Sequence, residues 1–276
     1  MLKFILVFLS SSLFGAVIDG EATSTLVDGV AKVYIGTVSE KISNGSVITA
    51  GKNIKTEDKS KVELFISNGI RLVMLPNSSL HIKTLKQTEG TIIKPNPENK
   101  SVKETGPSIT EFEVESGKVL GDVKKLAPMS VFTLKTPAGV VKIKGTTFSV
   151  EYNLNKDGTA SFNVGCLTGR IEVQMADPRI PPVTVPAGQQ MSCSASPSGF
   201  AGPKDGPPPK MEVKQLPPSE VKQISVSAGV PPPPPQQPNA PPPAKPPAVE
   251  QALDRVVQSI ANEVMQGQVD PSPTGG

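Results

Sequence analysis

Side chains able to do covalent or acid–base chemistry are few in this 276-residue chain: one histidine, two cysteines and no tryptophan. A histidine-rich zinc site, a pair of CxxC motifs and an HExxH helix are all impossible with that inventory. His81 stands in Ser79-Leu-His-Ile-Lys83, on the strand face opposite Leu80 and Ile82. No Ser or Cys nucleophile pattern accompanies it, so it reads as a solvated or edge histidine. Glu111, Glu113 and Glu115 form an acidic row on one strand face, and Lys142 and Lys144 form a basic one. Cross-strand partners or a protein-binding rim are open readings, with an ordinary solvated sheet face the better fit. A glycosidase needs paired carboxylates across a cleft, which three residues of one strand do not supply. There is no glycine-rich phosphate loop, and a net charge of +3 with scattered lysines is no nucleic-acid footprint. The reading is therefore non-catalytic, with no metal and no cofactor.

Residues 1–22 read as a signal peptide. Lys3 precedes an apolar run from Phe4 to Phe14 that is shorter than the roughly 20 residues of a membrane span. Gly20-Glu21-Ala22 offers one cleavage point and Gly15-Ala16 another; an uncleaved anchor is the competing reading. No later segment is apolar enough to span a bilayer, so the mature chain is expected in the periplasm or cell envelope. In an oxidising compartment two thiols tend to pair. Cys166 follows Ser161–Val164 and Cys193 follows Gln189–Met191, which places both near the ends of neighbouring strands. A disulfide and two unrelated thiols both remain open, because geometry decides.

The elements that must position these groups are strands. In Lys61–Ile66, Val62, Leu64 and Ile66 share a face; after Asn68-Gly69, Ile70, Leu72 and Met74 repeat the alternation. Asn-Gly between alternating runs predicts a hairpin with positive φ at both central positions. Asp28-Gly29, Asn44-Gly45 and Asp157-Gly158 punctuate the chain similarly, and Glu111–Glu115 points Phe112 and Val114 inward. Many short strands with close turn signals predict an all-β fold over residues 23–195 with no helix. Lys86 to Ser108, with Pro95, Pro97 and Pro107, reads as a surface insertion.

Between Thr136 and Tyr152 the apolar positions change phase. Val141 and Ile143 are odd, whereas Phe148, Val150 and Tyr152 are even. A one-residue bulge at Gly145 would return both sets to one core. Pro137, lacking a donor, is expected at a strand start or an edge.

These residues resemble the FecR domain family. Thr136-Pro137, Gly139, Ile143 and Gly145-Thr146-Thr147-Phe148 are similar to its TP-x-G-x-x-x-I-R-G-T-x-F signature. Gly51, Ile54, Thr56, Ser60, Val62, Leu64, Asn68-Gly69, Leu72 and Leu75–Ser78 match its first half; Gly169–Val173 and Val183–Gly188 match its closing strands. The likeness spans roughly residues 40–192. It implies a bacterial, extracytoplasmic all-β domain, rolled or solenoid-like, that binds a protein partner in the envelope. Founding members sense an outer-membrane siderophore receptor and signal to a cytoplasmic sigma factor. Against those members this chain is expected to lack the cytoplasmic region and internal membrane span, and Lys144 replaces the usual Arg. The implied function is an exported recognition or scaffold module, with an accessory sensor in siderophore-responsive signalling as the alternative and a carbohydrate enzyme remote.

The carboxyl-terminal part differs in composition. Seventeen prolines fall in residues 202–247, and residues 196–248 read as a Pro-rich disordered linker. Residues 249–266 have helical periodicity, with Val249, Leu253, Val256, Val257, Ile260 and Val264 on one stripe. That stripe is a candidate docking helix, or it folds back on its own domain. Residues 267–276 read as a disordered tail.

Overall fold

The computed structural model describes residues 16–96, 98–202 and 208–229, all within one compact unit. Alternating apolar residues separated by Gly- and Asn-containing turns form short strands in order. These are β1 (Val17–Asp19), β2 (Ala22–Asp28), β3 (Ala31–Ile35), β4 (Val38–Lys41), β5 (Val47–Ile48) and β6 (Asn53–Thr56). Next come β7 (Lys61–Ile66), β8 (Arg71–Met74), β9 (Ser79–Thr88), β10 (Ser108–Asp122), β11 (Val131–Thr136) and β12 (Gly139–Ile143). The series ends with β13 (Thr147–Leu154), β14 (Ala160–Thr168), β15 (Arg170–Met175), β16 (Val183–Pro186), β17 (Gln189–Ala195) and β18 (Met211–Gln215). A 3₁₀ turn (Pro197–Ala201) precedes β18, and helix α1 (Pro218–Ala228) follows it.

The strands pair into two sheets. The first runs β4-β3-β6-β9-β10-β11-β12-β15-β16, with β1 also on β9. The second runs β5-β2-β7-β8-β10-β13-β14-β17-β18. Strand β10 belongs to both, its amino-terminal half to the first and its carboxyl-terminal half to the second. Beyond it, consecutive hairpins alternate between the sheets, so the chain rolls forward while every pair except parallel β10–β11 is antiparallel. The expected rolled, antiparallel all-β architecture is what the chain forms.

One apolar interior lies between the sheets. Phe112 and Phe132 of the first sheet meet edge to face at 6.0 Å, and Phe132 meets Phe148 of the second at 6.1 Å. Val62, Leu64, Ile66, Leu72, Met74 and Val114 are buried in it, as their alternation predicts. The outer face of the second sheet carries a smaller apolar cluster of Val73, Leu120, Leu167, Leu216 and Ile224, the last from α1.

Several local expectations need correction. Asn68-Gly69 does turn a hairpin, but only Gly69 has positive φ (+90°). The amide of Ile66 donates to the Ile70 carbonyl at 2.8 Å, so the loop has three residues and needs one left-handed position, not two. The stretch between β9 and β10 is a strap, not a free insertion. Its backbone bonds the β7–β8 turn (Ile93 N to Ser67 O, 2.7 Å; Val102 N to Gly69 O, 2.8 Å), and Ser101 and Glu104 are buried.

The phase change has a different cause from a bulge at Gly145. Val141 and Ile143 lie in β12 of the first sheet; Phe148, Val150 and Tyr152 lie in β13 of the second, and all five are buried. Gly145 sits in the crossing between sheets at φ +133°. Facing a shared interior from opposite sides reverses the inward parity without an extra residue. An irregularity in pairing does occur, but between Thr147 and Phe148. Pro137 occupies the turn between β11 and β12, not a strand; its fixed φ suits the first corner of a tight turn.

Both domain boundaries also move. The domain expected from residue 23 already includes β1 and a fully buried Ala22. At the other end, the segment expected as a disordered linker contributes the 3₁₀ turn, β18 and α1. Few apolar residues suffice there because each is well placed. Phe200 packs on Tyr152 at 6.2 Å, Leu216 and Ile224 enter the outer cluster, and β18 hydrogen-bonds to the edge of β17. Pro217 and Pro218 start the helix where a missing amide costs nothing. Residues 249–266 lie outside the described residues.

Candidate functional site

The signature residues are spent on architecture. Thr136 Oγ1 accepts from the amides of Ala138 and Gly139, both at 3.2 Å, and donates to the Gly139 carbonyl, which closes the β11–β12 turn. Ile143 and Phe148 fill the interior from opposite sheets. The Thr146 carbonyl accepts from Val123 N at 3.0 Å. Thr147 Oγ1 donates to Asp122 Oδ1 at 2.8 Å, and its amide donates to Thr168 Oγ1 at 3.0 Å. Asp122 is buried and also accepts from Ser101 of the strap.

At the sheet crossing two backbones meet. A Cβ on Gly169 would lie 2.5 Å from the Gly145 carbonyl oxygen, and one on Gly145 would lie 2.8 Å from the Lys124 carbonyl oxygen. With φ at +82° and +133°, both positions favour glycine. Their bare backbone floors an open groove of about 600 Å³, walled by Lys142, Lys144, Arg170, Glu172 and Thr184. Lys142 Nζ lies 2.6 Å from Glu172 Oε1. That hydrogen bond and the charge behind it, with a smaller contribution from Lys144, hold the Glu172 carboxyl below its ordinary value. Among the described residues neither Lys144 nor Arg170 has an ion-pair partner. This groove is the candidate site, and it offers positive charge and exposed main chain, not an acid–base pair.

The other candidates separate. Glu111 pairs with Lys135 at 2.8 Å, Glu113 with Lys83 at 3.2 Å, and Glu115 accepts from Ser79 Oγ at 2.7 Å. The acidic row is thus matched by cross-strand neighbours, and of the basic row only Lys144 is left over. His81 is half-buried in β9 between Asn53 and Glu113.

The cysteines do not form a disulfide. Cys166 of β14 stands opposite Gln189, whereas Cys193 of β17 stands opposite Phe162. Four residues along a strand separate them, about 13 Å at the usual rise, against the 4–7 Å that a bridge tolerates. Both thiols are free and buried. Burial pushes Cys166 up to about 12 and raises Cys193 as well, so neither is a ready thiolate at neutral pH.

Sequence reasoning alone did not single out Arg170, Glu172 or Thr184 as site residues. Gly169-Arg170 is a turn-and-strand signal in sequence, and nothing local shows that it comes to rest beside Lys144. A buried polar cluster was missed too. Glu104 of the strap accepts from Ala127 N and Ser130 Oγ, each at 2.6 Å, and from Ser108 Oγ, while Asn68 Nδ2 donates to Thr110 Oγ1 at 2.9 Å.

The fold defines an all-β, two-sheet rolled domain with an open surface groove. Residues 52–172 match the family described as FecR protein, so the FecR resemblance holds over that segment. Two crystal structures of a protein assigned as an anti-sigma factor from Parabacteroides distasonis are similar at 15% identity, with TM-scores of 0.39 and 0.38. Each covers 59% of this chain, and this chain spans 59% of each. No curated protein matches significantly. Among the described residues, no helix is long and apolar enough to cross a membrane, and no group of three or more His, Cys, Asp or Glu could hold a metal ion.

Proposed function

We propose that this chain is an exported, non-catalytic FecR-domain protein that recognises or scaffolds a protein partner in the bacterial periplasm or cell envelope. The observation that carries this reading is the disposition of polar groups. Signature threonines hold turns and the sheet crossing, and the acidic row is paired across strands, while the groove beside Gly145 stays open with unpaired cations. Such a surface suits reversible binding of another macromolecule better than bond-making chemistry. Fractionation of native cells tests the location and affinity capture from envelope extract tests the partner. Recovery in the cytosol, or turnover of an envelope glycan by the purified chain, would refute the reading. The FecR match favours one narrower version, an accessory sensor in siderophore-responsive signalling. Deleting the gene should then blunt transcriptional induction of receptor genes by the cognate siderophore.

A further inference from the structure

We propose that the groove between β12, β15 and β16 binds an acidic peptide segment of the partner, with Lys144 and Arg170 receiving its carboxylates. This rests on the recognition reading and gives the partner a chemistry.

Lys142 and Glu172 neutralise each other at 2.6 Å, and the lowered Glu172 keeps that pair ionised at neutral pH. Lys144 and Arg170 remain, both exposed and both on the wall of the groove. Two uncompensated cations in a concave surface attract an anion more strongly than the same charges on a convex one. Arg170 adds a planar fork that suits a carboxylate, and Lys144 adds a point charge.

The kind of anion follows from the remaining lining. No aromatic ring is present to stack a sugar or a base, so a saccharide or nucleic acid finds no platform. With Lys142 and Glu172 paired, two cations remain, which match a chain whose carboxylates alternate with neutral groups better than a uniformly anionic polymer. An extended peptide has that property, since every second side chain faces the same way. Thr184 supplies a hydroxyl.

Several other exposed lysines of this sheet are matched, although among the described residues Lys41 and Lys55 have no ion pair. Lys32 pairs with Glu57, Lys83 with Glu113 and Lys135 with Glu111. What sets the crossing apart is that its two unpaired cations line one groove.

The test uses the purified chain and a fluorescein-labelled peptide alternating Glu and Ser, read by anisotropy. A Lys–Ser peptide and labelled polygalacturonate serve as comparators. The Glu–Ser peptide should bind, weaken as salt rises, and lose at least about tenfold in affinity in the Lys144→Glu/Arg170→Glu double variant. Lys32→Glu, a paired lysine far along the sheet, should bind like the parent, and unaltered thermal unfolding of the double variant excludes misfolding. Equal binding by parent and double variant, no peptide binding at all, or binding of polygalacturonate in preference to the peptide would overturn the proposal. Envelope capture separates the two readings. If the double variant still retains a protein partner, the groove assignment fails while recognition stands; if the parent retains none, recognition itself fails.

Discussion

Lys118 in β10 and Glu220 in α1, 102 residues apart, form an ion pair with each side chain only 15% exposed. Lys118 also donates to Gln223 Oε1 at 2.7 Å, and Ser149 Oγ donates to Glu220 at 3.2 Å. Next to this polar clamp, Ile224 seats among Val73, Leu120, Leu167 and Leu216. Helix α1 has only 11 residues, too short to persist alone in water. The clamp and the apolar seat are what make it a helix.

Glu220→Ala should therefore cost about 1–2 kcal/mol in denaturant unfolding, between the values for exposed and buried pairs. Hydrogen exchange across residues 218–228 should accelerate more than across β10. Unchanged exchange in α1 would show that apolar seating alone holds the helix.

Gly145→Val should destabilise by more than about 1 kcal/mol, because a side chain at φ +133° is strained and meets the Lys124 carbonyl. Gly145→Ala should cost less but remain measurable. The check is a shift in denaturation midpoint at unchanged slope; a midpoint equal to the parent's would refute the tight crossing.

Stability should fall on the acid side through Glu63. Burial raises this carboxyl, but Arg71 Nη2 at 2.6 Å and Lys61 at 3.1 Å outweigh it, so its folded value is lowered. A lowered carboxyl contributes stability fully above its unfolded value, about 4.3. That contribution fades as pH drops through the folded value. Glu63→Gln should flatten the acid limb between about pH 5 and 3, and Glu63→Ala should cost about 3 kcal/mol at neutral pH by stranding buried Arg71. Unfolding curves at several pH values decide this, and an acid limb identical to the parent's would count against it.

The thiols should behave as core residues. A native sample should resist a thiol-specific reagent and react at both cysteines once unfolded, and reductant should leave the melting temperature unchanged. A native mass lower by two hydrogens would contradict the β14–β17 register.

If a leader is removed on export, the cut is expected ahead of Val17 and not after Ala22. Val17–Asp19 pairs with β9, the Gly20 amide donates to Leu85 O at 2.9 Å, and Ala22 is fully buried. Amino-terminal sequencing of the chain from native envelope answers this; Thr23 as first residue would mean that β1 is dispensable.

Much was legible in the residue order because strand burial has a period of two and turns have their own residue types. Phe112 and Val114 inward with glutamates outward, the hairpin at Asn68-Gly69, and the single interior reached by Ile143 and Phe148 all follow from nearest neighbours. What had to await the three-dimensional arrangement depends on residues far apart in sequence. Parity reverses at Gly145 because the chain crosses to the facing sheet, a fact that lives in the pairing of β12 with β15 and of β13 with β10 and β14. Cys166 and Cys193 miss each other by a register that only the β14–β17 ladder sets. Lys144 lines one groove with Arg170, and Lys118 meets Glu220, because packing brings distant backbone together. Local propensity carries no information about such meetings, since their free energy comes from burial and charge across the fold and not from neighbours along the chain.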